Sequence, residues 1–360
     1  TYRMVDILMG FADLAFTTPR AEIDALFNQV GYSVNGNAGS IRDYFLASSA
    51  GKLSVEATVV GPYTAANNMA YYGQNYEGTH TDMHVRELVT EAVIFADPEV
   101  DFSQFTNGEG ENVSCVYVIY AGVHPSSGND PNTIWPHRWN LASPFAVDGV
   151  YVSDYGVSSE KQGSEYNPQP PTIGTICHEF SHVLGQADYY DTDYNEQGSF
   201  NDHDSWDLMC SGNYNNDGKC PPLWSAHERE VRGYIEIEEL LAEGSNTLPP
   251  LHSVNKAYKM TISQNEYFLL ENRQKVGWDY YLPGHGMLIF HVNKNVAGWN
   301  SNCANCNPNN PGMDLEEANP NSVYNRESNP FPGTSNRTSF TDSTNPNSMS
   351  YAGNPINRPI

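Results

Sequence analysis

The chain is expected to fold as an α+β protein, with a mixed twisted sheet and helices in its earlier part and a β-rich, loop-rich region after it. Three observations point there. Strand-like and helix-like stretches alternate over roughly the first 160 residues, a pattern that favours layered α/β packing over a sandwich. One later stretch is a helix carrying paired histidines, and beyond about Leu241 the texture changes to short strand patterns separated by Gly, Pro and Asn.

Each element follows from its residues. Residues 4–11 and 53–60 read as strands, and residues 19–30 between them as an amphipathic helix with Ile23, Leu26, Phe27 and Val30 at helical spacing. Residues 40–49 form a second helical pattern, and residues 81–96 a third whose apolar stripe is Met83, Leu88, Val89, Ala92 and Val93. The apolar run at 116–121 supplies a central strand and residues 149–157 another. Later strands are expected at 257–262, 266–272 and 286–293. Residues 300–360 hold 15 Asn among 61 residues, so this stretch is expected to be irregular. Two domains are expected, at 1–245 and 246–360, the second packed on or continuous with the first.

Composition excludes several functions. With 43 acidic and 18 basic side chains, the formal charge is −25, and no basic run exists to contact phosphates, so no nucleic-acid partner is expected. The longest apolar stretch, residues 115–123, is far too short to span a bilayer. The first nine residues carry neither an initiator Met nor a leader pattern, so a removed leader or pro-segment is expected. Six Cys permit disulfides; Cys303 and Cys306 suit a tight local bridge, and Cys210 and Cys220 bracket a short loop that could also be bridged.

The chemistry is concentrated at residues 178–188. His178, Glu179 and His182 stand in the order HExxH, which on a helix puts both imidazoles on one face about a turn apart. Glu179 is turned by about 100° from His178, near a shared ion without being a ligand, the position of a base acting on water. Chance alone would produce about 0.02 such motifs in a chain of this composition. Gly185, just past the helix, can take positive φ and reverse the chain, so that Asp188 is the expected third ligand, with Asp191, Asp193, Glu196 and His203 following closely as competitors. Two His, one Asp and an open position suit catalytic Zn2+. Residues 205–212 place Met209 in a tight turn 27 residues after His182, where metzincin peptidases carry a Met beneath the metal.

With these motifs in hand, the chain resembles the immune inhibitor A type of secreted bacterial zinc metallopeptidase. The resemblance runs through GFAD at 10–13, GSIRDYF at 39–45 with SAGKL at 49–53, YVIYAG at 117–122, IWPH at 134–137 and WDLM at 206–209. It continues in YFLLENR at 267–273 and LPGHGMLIFH at 282–291. It implies a metzincin-like catalytic domain, an endopeptidase secreted with an N-terminal pro-segment, protein or peptide substrates, and dependence on Ca2+. A monomer is expected. Two departures stand out. NGEGEN at 107–112 replaces a loop that is usually richer in Asp, which counts against a cation site there, and Ser181 replaces a usual Gly, at a position expected to lie on the outer helix surface.

Hard oxygen ligands crowd the segment after Asp188. Asp191, Asp193 and Asn195 have the alternate spacing of a calcium loop, and Asp202 and Asp204 follow; an EF-hand is excluded because Glu196 stands where its Gly must be. Tyr214 is a candidate hydrogen-bond donor to a developing oxyanion. His137, His285, His291 and Cys177 are expected to be structural. The rival function is a non-catalytic secreted module, stabilised by zinc, whose aromatic residues bind glycans or host proteins. Its weakness is that a structural zinc site has no use for Glu179.

Overall fold

Long apolar runs with little alternation belong in a parallel sheet covered on both faces, and that is where the chain puts them. A computed structural model of the chain describes residues 1–79, 81–126, 129–195, 201–321 and 325–360. Contacts divide it into two compact units, one of Thr1–Leu46 and Gly51–Leu184, the other of Ala47–Ala50 and Gly185–Ile360. No helix among the described residues is long and apolar enough to cross a membrane.

The first unit runs β1 (Tyr2–Gly10), α1 (Arg20–Asn28), α2 (Ile41–Ser48), β2 (Val55–Thr64), α3 (Met69–Gly73), α4 (Val85–Ala96), β3 (Val116–Tyr120), β4 (His137–Val147), β5 (Val150–Ser159), the short β6 (Gln162–Ser164) and β7 (Asn167–Gln169), and α5 (Gly174–Val183). Its main sheet has the order β2-β1-β3-β5-β4. The first four of these are mutually parallel, with Val5 opposite Val116 and Val118 opposite Val157, while β4 closes one edge antiparallel to β5. Val5, Ile7 and Met9 of β1, with Val116 and Val118 of β3, pack into one buried cluster with Leu88, Val89, Ala92 and Val93 of α4. The helix at the third apolar stripe starts four residues later than its pattern, because Asp82 bridges to Asn75 and the Met83 N–H donates to the Gln74 carbonyl instead. Strand β4 was not foreseen: Leu141 is its one buried residue and Ala142, Ser143 and Pro144 are exposed in succession, so it lacks the apolar run that betrays the central strands.

The second unit contains α6 (Ala226–Val231), started by a reciprocal Ser225–Glu228 capping box, and a five-stranded sheet built from β8 (Glu238–Glu239), β9 (Tyr258–Ser263), β10 (Glu266–Arg273), β11 (Gly286–Asn293) and β12 (Met313–Leu315). The strand order is β12-β11-β10-β9-β8, antiparallel except for the β8–β9 pair. Met260, Phe268, Leu270, Ile289, Phe331 and Phe340 form its apolar cluster. Beside it the buried Arg273 is paired with Glu271 at 3.1 Å and Asp279 at 2.6 Å. Cys303 and Cys306 are disulfide-bonded, whereas Cys210 and Cys220 are both free and buried: the Cys210 thiol points to Asn201 Oδ1 and that of Cys220 to the Trp278 carbonyl, so the second bridge is absent.

One buried carboxylate ties the first sheet together. Glu160, just past β5 and only 1% exposed, accepts hydrogen bonds from the Thr17 N–H (2.9 Å), the Thr17 hydroxyl (2.8 Å), the Thr18 N–H and the Gly122 N–H (3.3 Å). It thereby joins the loops that leave β1, β3 and β5. Burial alone would raise its pKa, but the donors from Thr18 and Thr17 outweigh burial and hold it below the usual value. A lowered folded-state pKa means stability that is present above the unfolded carboxyl range, near pH 4.3, and lost as pH falls through the lower folded value. Glu160→Gln is expected to cost about 1–3 kcal/mol at neutral pH and to flatten the acid limb of stability; denaturant midpoints measured from pH 7 downwards check both.

Candidate metal centre

Helix α5 has the sequence GTICHEFSHV and is buried over most of its circumference. Pro170 and Pro171 precede it, its first turn closes with the Cys177 N–H donating to the Ile173 carbonyl at 2.8 Å, and no side chain caps it. It packs on β5 and β4. Phe180 anchors it, its ring meeting Tyr2 and Phe45 edge-on at 5.3 Å each. Cys177 is a buried free thiol. Ser181 is the correction here: it lies fully buried rather than on an outer surface, with its hydroxyl donating to the Cys177 carbonyl at 2.7 Å. That back-bond satisfies the hydroxyl where no water reaches.

The polar residues of α5 converge. The rings of His178 and His182 lie 4.9 Å apart and nearly perpendicular, at 87°. Potential ligand atoms of His178, Glu179 and His182 all lie within 4.8 Å of one another, with His178 and Glu179 buried and His182 half-buried. Two imidazole nitrogens that close can share one divalent transition metal, with the Glu179 carboxylate beside them for a water on that ion, so the residues fit such an ion. The surroundings are low in dielectric. Burial pushes the Tyr117 phenol of β3 well above its usual pKa, and the Glu179 carboxylate adds to this, so Tyr117 stays neutral beside the helix. Gly156 makes room for that ring, since a Cβ there would stand 2.5 Å from it.

The helix ends as its sequence requires. The Leu184 N–H bonds to the Phe180 carbonyl at 3.1 Å, and Gly185 takes a φ of +89°. In the second unit, Asp188 is 4% exposed and shares two hydrogen bonds with Asn302: its N–H donates to Asn302 Oδ1, and its Oδ2 accepts from Asn302 Nδ2, both at 2.7 Å. The next residue, Tyr189, donates its N–H to the Met209 carbonyl at 3.0 Å. Met209 is fully buried in a turn organised by Asp207, whose Oδ1 accepts from the Met209 N–H at 2.8 Å and whose carbonyl accepts from the Gly212 N–H at 2.8 Å. Tyr214 follows in a short helical turn, Gly212–Tyr214, and is 56% exposed.

The acidic segment proves to be two constructions. Asp191 Oδ1 accepts from the N–H groups of Asp193 (3.1 Å) and Tyr194 (3.0 Å), and Asp193 Oδ1 from that of Asn195 (3.1 Å). Asp202 instead receives the Leu315 N–H, and Asp204 the Arg326 guanidinium at 3.1 Å. Glu196 lies outside the described residues. Besides the α5 group, the other cluster of three such ligands among the described residues is Asp193 with Cys303 and Cys306, whose sulfurs are already bonded to each other. His137 Nδ1 donates to the Trp135 carbonyl at 2.7 Å while its Nε2 meets the Tyr155 hydroxyl at 3.1 Å, and His291 is held between Glu266 (2.8 Å) and Glu316 (3.4 Å). Asn302 was missed altogether. Its signal in the sequence is slight: an Asn, tolerant of left-handed backbone, beside a CxxC.

Comparison with known proteins finds relatives of the sequence. The sequence model described as immune inhibitor A peptidase M6, catalytic domain, matches residues 18–231. Pre-pro-metalloprotease PrtV of Vibrio cholerae serotype O1 is 32% identical over 214 residues, which is 53% of this chain and 23% of the relative. Immune inhibitor A of Bacillus thuringiensis subsp. alesti is 28% identical over 216 residues, 53% of this chain and 31% of the relative. The matched part therefore spans less than a third of either relative.

The turn holding Met209 is tight enough to test. A Cβ at Gly212 would stand 2.5 Å from the Asp207 carbonyl oxygen and 2.7 Å from Pro222, so Gly212→Ala is expected to lower stability by about 1–3 kcal/mol, seen as an earlier denaturation midpoint at unchanged slope.

Proposed function

The chain belongs to the immune inhibitor A peptidase M6 family, and from that membership we propose that it is a secreted zinc-dependent endopeptidase acting on protein or peptide substrates. The observation that carries the reading is the convergence of His178, Glu179 and His182 on one helix inside the matched segment. His178, His182 and Asp188 would hold the zinc ion, which when bound supplies a Lewis acid for the scissile carbonyl and lowers the pKa of water at the site. Glu179 takes the proton of the attacking water and delivers it to the leaving amine. Its near-burial strengthens that role, because a carboxylate shielded from bulk water exchanges its proton with the reacting groups rather than with solvent.

The substrate would lie extended along the open edge of β4, the edge strand that α5 packs against, adding a strand through backbone hydrogen bonds. Met209 would form an apolar floor in the manner of a metzincin, within a catalytic domain of residues 1–245 followed by a β-rich region at 246–360. Tyr214, exposed and five residues beyond Met209, would donate to the oxyanion. A pro-segment removed on activation accords with the precursor named in the Vibrio relative. The protein would act as a monomer. Of the acidic residues Asp191, Asp193, Asn195, Asp202 and Asp204, the first three would hold a structural Ca2+, since Asp202 already accepts from the Leu315 N–H and Asp204 from Arg326. Supporting it, Asp191 Oδ2 is buried and accepts no hydrogen bond among the described residues.

Glu179→Gln is expected to keep the metal and lose at least 100-fold in kcat on a casein or gelatin digest, with chelation by o-phenanthroline abolishing wild-type cleavage and zinc restoring it. Unchanged turnover in that variant would remove Glu179 from the mechanism. Calcium is tested separately: EGTA is expected to lower the thermal midpoint of zinc-loaded protein and calcium to restore it, whereas an unmoved midpoint counts against the ion.

A further inference from the structure

Asp188 is held by a residue 114 positions away, outside the segment that matches the family's catalytic domain. We propose that Asn302 is a positioning residue of the metal centre, fixing the orientation of the Asp188 carboxylate through paired hydrogen bonds. The proposal rests on the reading of Asp188 as a metal ligand.

The geometry is closed on both sides. Asn302 Oδ1 accepts from the Asp188 N–H and Asn302 Nδ2 donates to Asp188 Oδ2, both at 2.7 Å, so one planar amide spans the backbone and the carboxylate of the same residue. That pairing also settles which way the amide faces, since a flipped group would set oxygen against carboxylate. The two bonds remove rotation about the Asp188 side chain, and the donor stabilises its charged form without bringing a competing cation. Ligating carboxylates are commonly oriented in this way, and loss of such a partner typically weakens metal binding 10–100-fold.

Asn302 is itself over-determined. Its backbone is left-handed, φ 55° and ψ 38°, a conformation that Asn, Asp and Gly accept more readily than other residues. Its carbonyl accepts from the Thr192 hydroxyl at 2.7 Å, and the following Cys303 N–H donates to the Gly298 carbonyl at 2.8 Å. The Cys303–Cys306 disulfide closes the same loop. A loop so constrained delivers the amide in one place. Asn302 is exposed, yet its amide makes both bonds to Asp188 and its carbonyl a third to Thr192, more than an exposed Asn needs for solvation.

Two substitutions separate the side chain from the loop. Asn302→Gly keeps the left-handed backbone and deletes the amide; Asn302→Asp keeps shape and backbone but sets a carboxylate oxygen against Asp188 Oδ2. In the full chain, zinc affinity is read by competition with a chromophoric chelator, the ligand field from the visible absorption of the cobalt(II)-substituted protein, and folding from thermal unfolding of the metal-free protein. Both variants are expected to bind zinc 10–100-fold more weakly and to alter the cobalt spectrum, Asn302→Asp more than Asn302→Gly. Asp188→Ala is the reference and is expected to lose affinity further. If Asp188→Ala weakens binding while both Asn302 variants keep wild-type affinity and spectrum in their folded fraction, the positioning role is wrong and the ligand assignment stands. If Asp188→Ala binds zinc as the wild type does, the ligand assignment fails and the positioning role falls with it.

Discussion

The structure turns on one constraint: a helix that must carry two imidazoles and a carboxylate is buried on nearly all sides. Helix α5 meets it by segregation, with Phe180, Ile176 and Cys177 in the core and His178, Glu179 and His182 gathered to one side. Even the hydroxyl of Ser181 is folded back onto the helix's own carbonyl. A buried helix with unsatisfied polar groups would cost several kcal/mol, so the local rule that residues four apart share a face is also what makes the burial tolerable.

The chain is strongly acidic and has few cations to pair with its carboxylates, 18 against 43. Its buried acids are accordingly held mostly by neutral donors. Glu160 gathers N–H groups from two loops, Asp207 organises the Met209 turn through its own backbone neighbours, Asp191 caps the turn that follows it, and Asp188 is held by an amide. Hydrogen bonds of this kind stabilise a charge while fixing its direction, which the point charge of a flexible Lys does less well. Arg273, enclosed between Glu271 and Asp279, departs from this pattern, and there the partners come as a buried trio.

The parts that were legible in the sequence are those whose signal is local. The strands at 4–11 and 116–121 are apolar because they are covered on both faces, and the helix at 178–182 declares itself by spacing. The edge strand β4 hid because an edge needs no apolar run, and Ser181 was misplaced because periodicity says which residues share a helix face but not how many faces are covered. The bridge that the spacing of Cys210 and Cys220 allowed is absent for a related reason: nearness in sequence does not bring thiols together when each already points to a different carbonyl oxygen.

By itself the sequence determined the chemistry of α5 and the reversal at Gly185, because an i,i+4 pair and a positive φ depend only on a few neighbouring residues. Only the tertiary structure decided what surrounds them: that Ser181 is enclosed, that Asp207 shapes the Met209 turn, and that Asn302 reaches Asp188 across 114 residues. Such contacts are made by packing between distant segments, and no short window of residues encodes the distance between them.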